Sequence, residues 1–120
     1  RPKGRVLARD VTVPKNGQSI AFVMDTKMCD GALELADGVD LLVCESTYLH
    51  EHLELAHEYR HMTARQAGEL AASTGARRLL LTHFSARYPD ASVMGEEAGR
   101  YHDDVVVGQD LVPVQVPPRR

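Results

Sequence analysis

The chain has 120 residues, 43% of them apolar and 26% charged, with 9 Gly and 6 Pro, which fits one globular domain and excludes a collagen-like or disordered composition. At this length a chain buries roughly 65% of its unfolded surface, so a core is available without disulfides. Fourteen basic against seventeen acidic residues give a net charge of −3, which excludes a general phosphate-binding surface but not a small local site. No apolar run reaches the ~20 residues of a bilayer-spanning helix.

Residues 1–18 mix Pro, Gly and basic residues around Val11-Thr12-Val13 and read as a connecting segment with one weak strand. Ser19 to Met24 is a short apolar run between Asn16-Gly17 and Asp25, the pattern of a buried strand. Asp30 to Ala36 places Leu33 and Ala36 at helical spacing, and Gly38 follows as a stop. Val39 to Cys44 reads as a second buried strand. Thr47 to Arg60 is polar and rich in His, with Leu49, Leu53 and Ala56 spaced for an exposed helix or ordered loop.

Thr63 to Thr74 is the clearest helix, with Thr63 placed to cap it, Ala64, Ala67, Leu70 and Ala71 on one face, and Gly75 after it. Arg78 to Thr82 reads as a third buried strand. A helix lies within Pro89 to Asp103, with Met94, Ala98 and Tyr101 on one side, and Val105–Val107 and Leu111–Val116 read as a last strand or short pair. Residues 117–120 read as a frayed tail. Strands alternating with helices imply an α/β layer with mostly parallel neighbours.

The cysteines, Cys29 and Cys44, lack zinc-ribbon spacing and read as buried thiols of a cytoplasmic protein. The chain starts at Arg1 rather than Met, the expectation for a processed, truncated or partial chain.

Three polar residues stand at the C-terminal ends of apolar runs: Asp25, Glu45 and His83. That edge is where open α/β sheets collect ligand sites. Asp25 either caps the following turn or ligates a metal. His83 is either a hydrogen-bonded strand-end residue or a ligand. Arg87 and Tyr88 follow it, and a guanidinium fork and a phenol suit a phosphate oxygen. His61, two residues before the helix cap, either packs at the helix start or acts on a substrate proton, and Glu45 can orient it by accepting its second N–H. His50, His52 and His57 lack the spacing of a zinc-binding helix. Their neighbours Glu51, Glu54 and Glu58 make a solvated polar face the better reading.

Val23-Met24-Asp25-Thr26-Lys27-Met28-Cys29, followed by Ala36-Asp37-Gly38-Val39-Asp40-Leu41-Leu42-Val43-Cys44-Glu45-Ser46-Thr47-Tyr48, resembles the ribonuclease Z family, tRNA 3′-end endonucleases of the metallo-β-lactamase fold. His61-Met62-Thr63 with Gln66-Ala67, Leu81-Thr82-His83-Phe84-Ser85-Ala86-Arg87-Tyr88, and Gly108-Gln109-Asp110-Leu111-Val112-Pro113-Val114 are similar to that family's later motifs, in the same order. The resemblance implies that Asp25 bridges two zinc ions and His83 ligates one of them. It implies that His61, which Glu45 is placed to orient, assists the leaving 3′ oxygen, and that Arg87 and Tyr88 lie beside the bound phosphate. The implied reaction is in-line attack of a metal-bridging hydroxide on a tRNA precursor.

Two features depart from the family pattern. Met24 stands where the family has Gly before the bridging Asp, a residue suited to close backbone approach or positive φ. The His-x-His-x-Asp-His cluster that supplies most zinc ligands is absent from the sequence. The expected fold is therefore α/β, half of a metallo-β-lactamase αββα sandwich, with one mixed sheet covered by helices. Residues 1–120 would form a single C-terminal half-domain. Such a half holds an incomplete ligand set, so alone it is expected to bind zinc weakly, to lack nuclease activity, and to associate with the missing N-terminal half or as a homo-oligomer. The alternatives are another hydrolase of the same fold, phosphodiesterase-like or arylsulfatase-like, and a degenerate non-catalytic half-domain.

Overall fold

The computed structural model describes residues 5–13 and 17–118. Four strands, β1 (Ile20–Val23), β2 (Leu41–Glu45), β3 (Arg78–Thr82) and β4 (Val105–Val107), form one sheet in the order β1-β2-β3-β4. All three pairings are parallel, so among the described residues the sheet is parallel throughout rather than mixed. Each crossover carries helix: α2 (Asp30–Ala36) between β1 and β2, α3 (Leu53–Tyr59) and α4 (Ala64–Thr74) between β2 and β3, α5 (Ser92–Gly99) between β3 and β4. Consecutive parallel neighbours with crossovers of one hand put their covering helices on the same face. Accordingly α4 packs against both α2 and α5.

Alternation along the strands produces two unlike faces. Ala21, Val23, Leu42, Cys44, Leu79 and Leu81 point to the helices and are buried. On the other face Phe22 is 63% exposed and Ile20 47%. A cavity of about 410 Å³ lies there, lined in part by Met24, Val43, Leu80, Val112 and Val114. The C-terminal segment crosses this face, where Val112 and Val114 help line the cavity, without forming a strand. Gln18 donates to the carbonyl of Pro117 (2.7 Å) and Arg78 to that of Gln115 (2.6 Å), while Arg77 donates to Pro118. The strand expected over Leu111–Val116 is absent because these residues bond to side chains rather than to a neighbouring ladder. The expectation of a frayed tail fails at Pro117 and Pro118, whose carbonyls the Gln18 and Arg77 side chains hold, and Arg119 and Arg120 lie outside the described residues.

The helix ends follow local chemistry. Thr63 and Gln66 form a reciprocal capping box at α4, with Gln66 N–H donating to Thr63 Oγ1 (3.1 Å) and Thr63 N–H to the Gln66 carboxamide (3.0 Å). Gly75 closes α4 in the left-handed conformation (φ 72°). The expected inner face of α4 is buried in full. In α2 the buried pair is Ala32 and Ala36, whereas Leu33 is 38% exposed: a small residue, not a leucine, meets the sheet where α2 lies close to it. Residues 5–13 hold a four-residue helix, α1 (Ala8–Val11), with no buried residue. The weak strand expected at Val11–Val13 does not form: Val11 ends α1, no strand pairs with 11–13 among the described residues, and these side chains remain exposed.

Small residues set the spacing of the helical layer. A Cβ added at Gly68 of α4 would stand 2.7 Å from the Ala98 carbonyl oxygen and 3.0 Å from its Cα on α5, contacts with backbone that cannot swing away. Gly68→Ala is expected to destabilise the chain by about 1–3 kcal/mol through overpacking. Gly17→Ala, with open space around the added methyl, is expected to stay within about 0.5 kcal/mol. Urea denaturation of the two variants against the unaltered chain measures both.

Candidate active site

The C-terminal ends of β1, β2 and β3 bring Asp25, Glu45 and His83 to one edge of the sheet. Glu45 ends β2 fully buried. A buried carboxylate costs several kcal/mol in lost hydration unless donors converge on it, and here four do. Thr26 N–H donates to Oε1 (2.6 Å). Thr47 Oγ1 (2.6 Å), His61 Nδ1 (2.8 Å) and Met62 N–H (3.2 Å) donate to Oε2. His61 is its sole ion-pair partner among the described residues. Glu45 thus fixes the turn after β1, the start of the loop after β2 and the ring of His61 at once.

Asp25 and His83 both adopt left-handed backbone, φ 52° and 59°. Non-glycine residues held there carry strain of order 1–3 kcal/mol, a feature that clusters at ligand sites. The left-handed residue is Asp25 itself. Met24 has ordinary φ, so the backbone does not require Gly at position 24.

His83 Nε2 lies 3.5 Å from Asp25 Oδ1, and ligand atoms of Asp25, His61 and His83 all fall within 4.8 Å of one another. The His61 and His83 rings are 5.2 Å apart. Ligands of a tetrahedral zinc at ~2.0–2.1 Å stand roughly 3.3 Å from each other, so one carboxylate and two imidazoles at these separations suit a divalent metal. The residues present fit such an ion, with Asp25 and His83 foremost and His61 adjoining.

The phosphate-side pair is placed differently. Arg87 is exposed on the loop after β3, and its guanidinium forms no ion pair among the described residues. The hydroxyl of Tyr88 is already engaged: it accepts from Leu49 N–H (2.9 Å) and lies 2.6 Å from His52 Nδ1. Burial pushes the Tyr88 phenol up from its ordinary pKa. His52 and His50 are therefore not simply part of a solvated face. His50 bonds Thr63 Oγ1 (2.9 Å) through Nδ1, because both rings turn toward the start of α4 and the loop after β3. His57 is exposed as expected.

The residues that sequence reasoning left without a role are Thr26, through its backbone, and Thr47. The Glu-x-Thr spacing at a strand end was the available signal, since residues two apart point to the same side of extended chain. Cys44 is buried, but Cys29 is exposed, correcting the expectation of two buried thiols: Cys29 precedes α2 on the surface turn that follows Asp25.

A layer of helices on one face of a parallel sheet, with His and Asp gathered at the strand ends, defines an α/β fold with a candidate metal site at the C-terminal edge of its strands. The profile described as "Beta-lactamase superfamily domain" matches residues 3–84, and the chain belongs to that superfamily. It is 49% identical over 117 residues to the ribonuclease Z of Salinispora arenicola, covering 97% of this chain and 38% of that protein. The crystal structure of the short form of human tRNase Z superposes with a TM-score of 0.66 at 29% identity, over 85% of this chain and 35% of that one. A metallo-beta-lactamase fold protein from Bacillus subtilis superposes with a TM-score of 0.68 at 23% identity, over 75% of this chain and 36% of that one, a likeness of fold. The chain therefore spans well under half the length of the relatives it matches, and its fold is half of the metallo-β-lactamase architecture.

Glu45→Gln puts an NH₂ group where donors converge and is expected to cost about 1–3 kcal/mol in urea denaturation, since buried donors lose their acceptor. The thiols are expected to differ sharply. The Ala32 backbone N–H and then the Thr26 hydroxyl hold the Cys29 thiol below its ordinary pKa, whereas burial pushes Cys44 far up. A thiol reagent should label one cysteine per folded chain, with the rate of labelling levelling off below the usual thiol pH. The second should react only after denaturation.

Proposed function

We propose that this chain is the C-terminal part of a zinc-dependent endoribonuclease that matures tRNA 3′ ends, supplying about half of a site that an N-terminal part completes. The observation that carries this reading is the gathering of Asp25, His61 and His83 within 4.8 Å at one sheet edge, with Glu45 buried behind them. The names of the relatives, ribonuclease Z and tRNase Z, support the choice of substrate. Asp25 and His83 would hold zinc, two ions in the complete site. Bound metal supplies Lewis-acid stabilisation of the phosphoryl oxygens and a water of lowered pKa.

The chain's own residues do the rest. His61 is oriented by Glu45 through Nδ1, which leaves Nε2 toward the site. When Nε2 carries a proton, the buried carboxylate stabilises the imidazolium, and Nε2 donates that proton to the departing 3′ oxygen. Arg87 offers an exposed fork of donors to a phosphate oxygen. Tyr88, tied to Leu49 and His52, belongs to the same phosphate side and anchors the loop that carries Arg87.

The exposed apolar side chains of β1, Ile20 and Phe22, mark the face that the N-terminal part would cover. A homo-oligomeric, cytoplasmic enzyme completes the reading. No helix among the described residues is long and apolar enough to cross a membrane.

Metal content and precursor-tRNA cleavage are measured for this chain alone, then after addition of an N-terminal part bearing the absent histidine cluster. The chain alone is expected to hold little zinc and to cleave nothing. The mixture is expected to hold about two zincs and to cleave, and Asp25→Ala or His83→Ala should return cleavage to background. Stable association without zinc uptake or cleavage would overturn the reading in favour of a non-catalytic half-domain, and cleavage of small phosphodiesters alone would point to another hydrolase of this fold.

A further inference from the structure

Thr47 stands between Glu45 and His83, and its hydroxyl has one hydrogen to give. Its Oγ1 lies 2.6 Å from Glu45 Oε2 and 2.9 Å from His83 Nδ1. The shorter contact is to a carboxylate, an obligatory acceptor when ionised, so the hydroxyl hydrogen goes there. What Oγ1 shows to His83 is a lone pair, and a hydrogen bond at 2.9 Å then requires the hydrogen to sit on His83 Nδ1. In the neutral ring Nε2 is consequently bare. Nε2 is the nitrogen that faces Asp25 Oδ1, and 3.5 Å is long for a direct N–H···O bond. Two acceptors are thus aimed at one another with no hydrogen between them, an arrangement that a shared cation satisfies.

We propose that Thr47 is a positioning residue for the metal site: by passing its hydrogen to Glu45 it holds His83 in the Nδ1–H tautomer and so presents the Nε2 lone pair to a divalent cation shared with Asp25. This rests on Asp25 and His83 being metal ligands, as proposed above. The hydroxyl is essential because a methyl in its place leaves Nδ1–H without an acceptor. The ring then gains by moving its hydrogen to Nε2, where Asp25 accepts it, and the ligand position closes. Thr47 is held for this task. Its own N–H donates to the Met62 carbonyl (3.1 Å), its carbonyl accepts from Ser85 N–H (3.0 Å), and the residue is 6% exposed.

The test reads the tautomer directly, in the metal-free ¹⁵N-labelled 120-residue chain at pH 8, from long-range ¹H–¹⁵N imidazole spectra. His83 in the unaltered chain is expected to be Nδ1–H, Thr47→Val is expected to shift it to Nε2–H, and Thr47→Ser is expected to retain Nδ1–H. Zinc alone, titrated into the same samples and followed at the His83 nitrogens, is expected to bind the Val variant about 10–100-fold more weakly than the unaltered chain, with Ser restoring the affinity. An Nε2–H ring in the unaltered chain, or a Val variant that remains Nδ1–H, overturns the assignment. If the Val variant fails to fold by its amide spectrum, the unaltered and Ser chains decide: Nδ1–H in both supports the role of the hydroxyl and Nε2–H in either defeats it. A tautomer that switches as expected in chains that take up no zinc even after the N-terminal part is added would uphold Thr47 as the device that sets His83 and defeat the metal reading of Asp25 and His83.

Discussion

Glu45 is a fully buried carboxylate without a Lys or Arg partner among the described residues, and the whole sheet edge is arranged to make that tolerable. The four donors that satisfy it come from three pieces of chain: Thr26 follows β1, Thr47 leads away from β2, and His61 and Met62 sit just before α4. Satisfying one buried charge therefore fixes three backbone segments relative to one another. The left-handed turn at Asp25, the ring plane of His61 and, through Thr47, the orientation of His83 all follow from it. A half-satisfied version of this network would be worse than an apolar one, which is why its members act as a unit.

The parallel sheet supplies the frame. Parallel strands end together, so residues far apart in sequence, such as 25, 45 and 83, arrive at one edge. The helices occupy a single face because every crossover between neighbouring strands turns the same way, and their close approach rests on Gly68 against Ala98 and on the alanines of α2 and α4. The opposite face keeps Phe22 and Ile20 exposed. One face sealed by helices and one left open at β1 is what half of a two-sheet sandwich looks like, and it agrees with the fraction of each relative that the chain spans.

Local signals were legible where one residue type admits few conformations. The cap at Thr63, the left-handed Gly38 and Gly75, and the strands at Arg78–Thr82 and Val105–Val107 stand where composition and spacing put them. Readings failed where the outcome depends on a distant neighbour. Leu111–Val116 has strand composition but bonds to Arg78 through a carbonyl and not to a ladder, and Val11–Val13 has no partner strand among the described residues. Leu33 is turned outward because α2 meets the sheet through alanines, and Cys29 is exposed because α2 begins at the surface.

The sequence by itself determined the alternation of strands and helices, the strand-end placement of Asp25, Glu45 and His83, and the kind of chemistry those groups support, because hydrophobic period and strand direction are encoded locally. Only the tertiary structure decided that Glu45 serves His61 and Thr47 together, that the Tyr88 hydroxyl is taken by Leu49 and His52, and that Thr47 stands between Glu45 and His83. Hydrogen-bond partners separated by tens of residues are chosen by how the elements pack, and the direction in which one hydroxyl hydrogen points is settled by whichever acceptor is nearest in space.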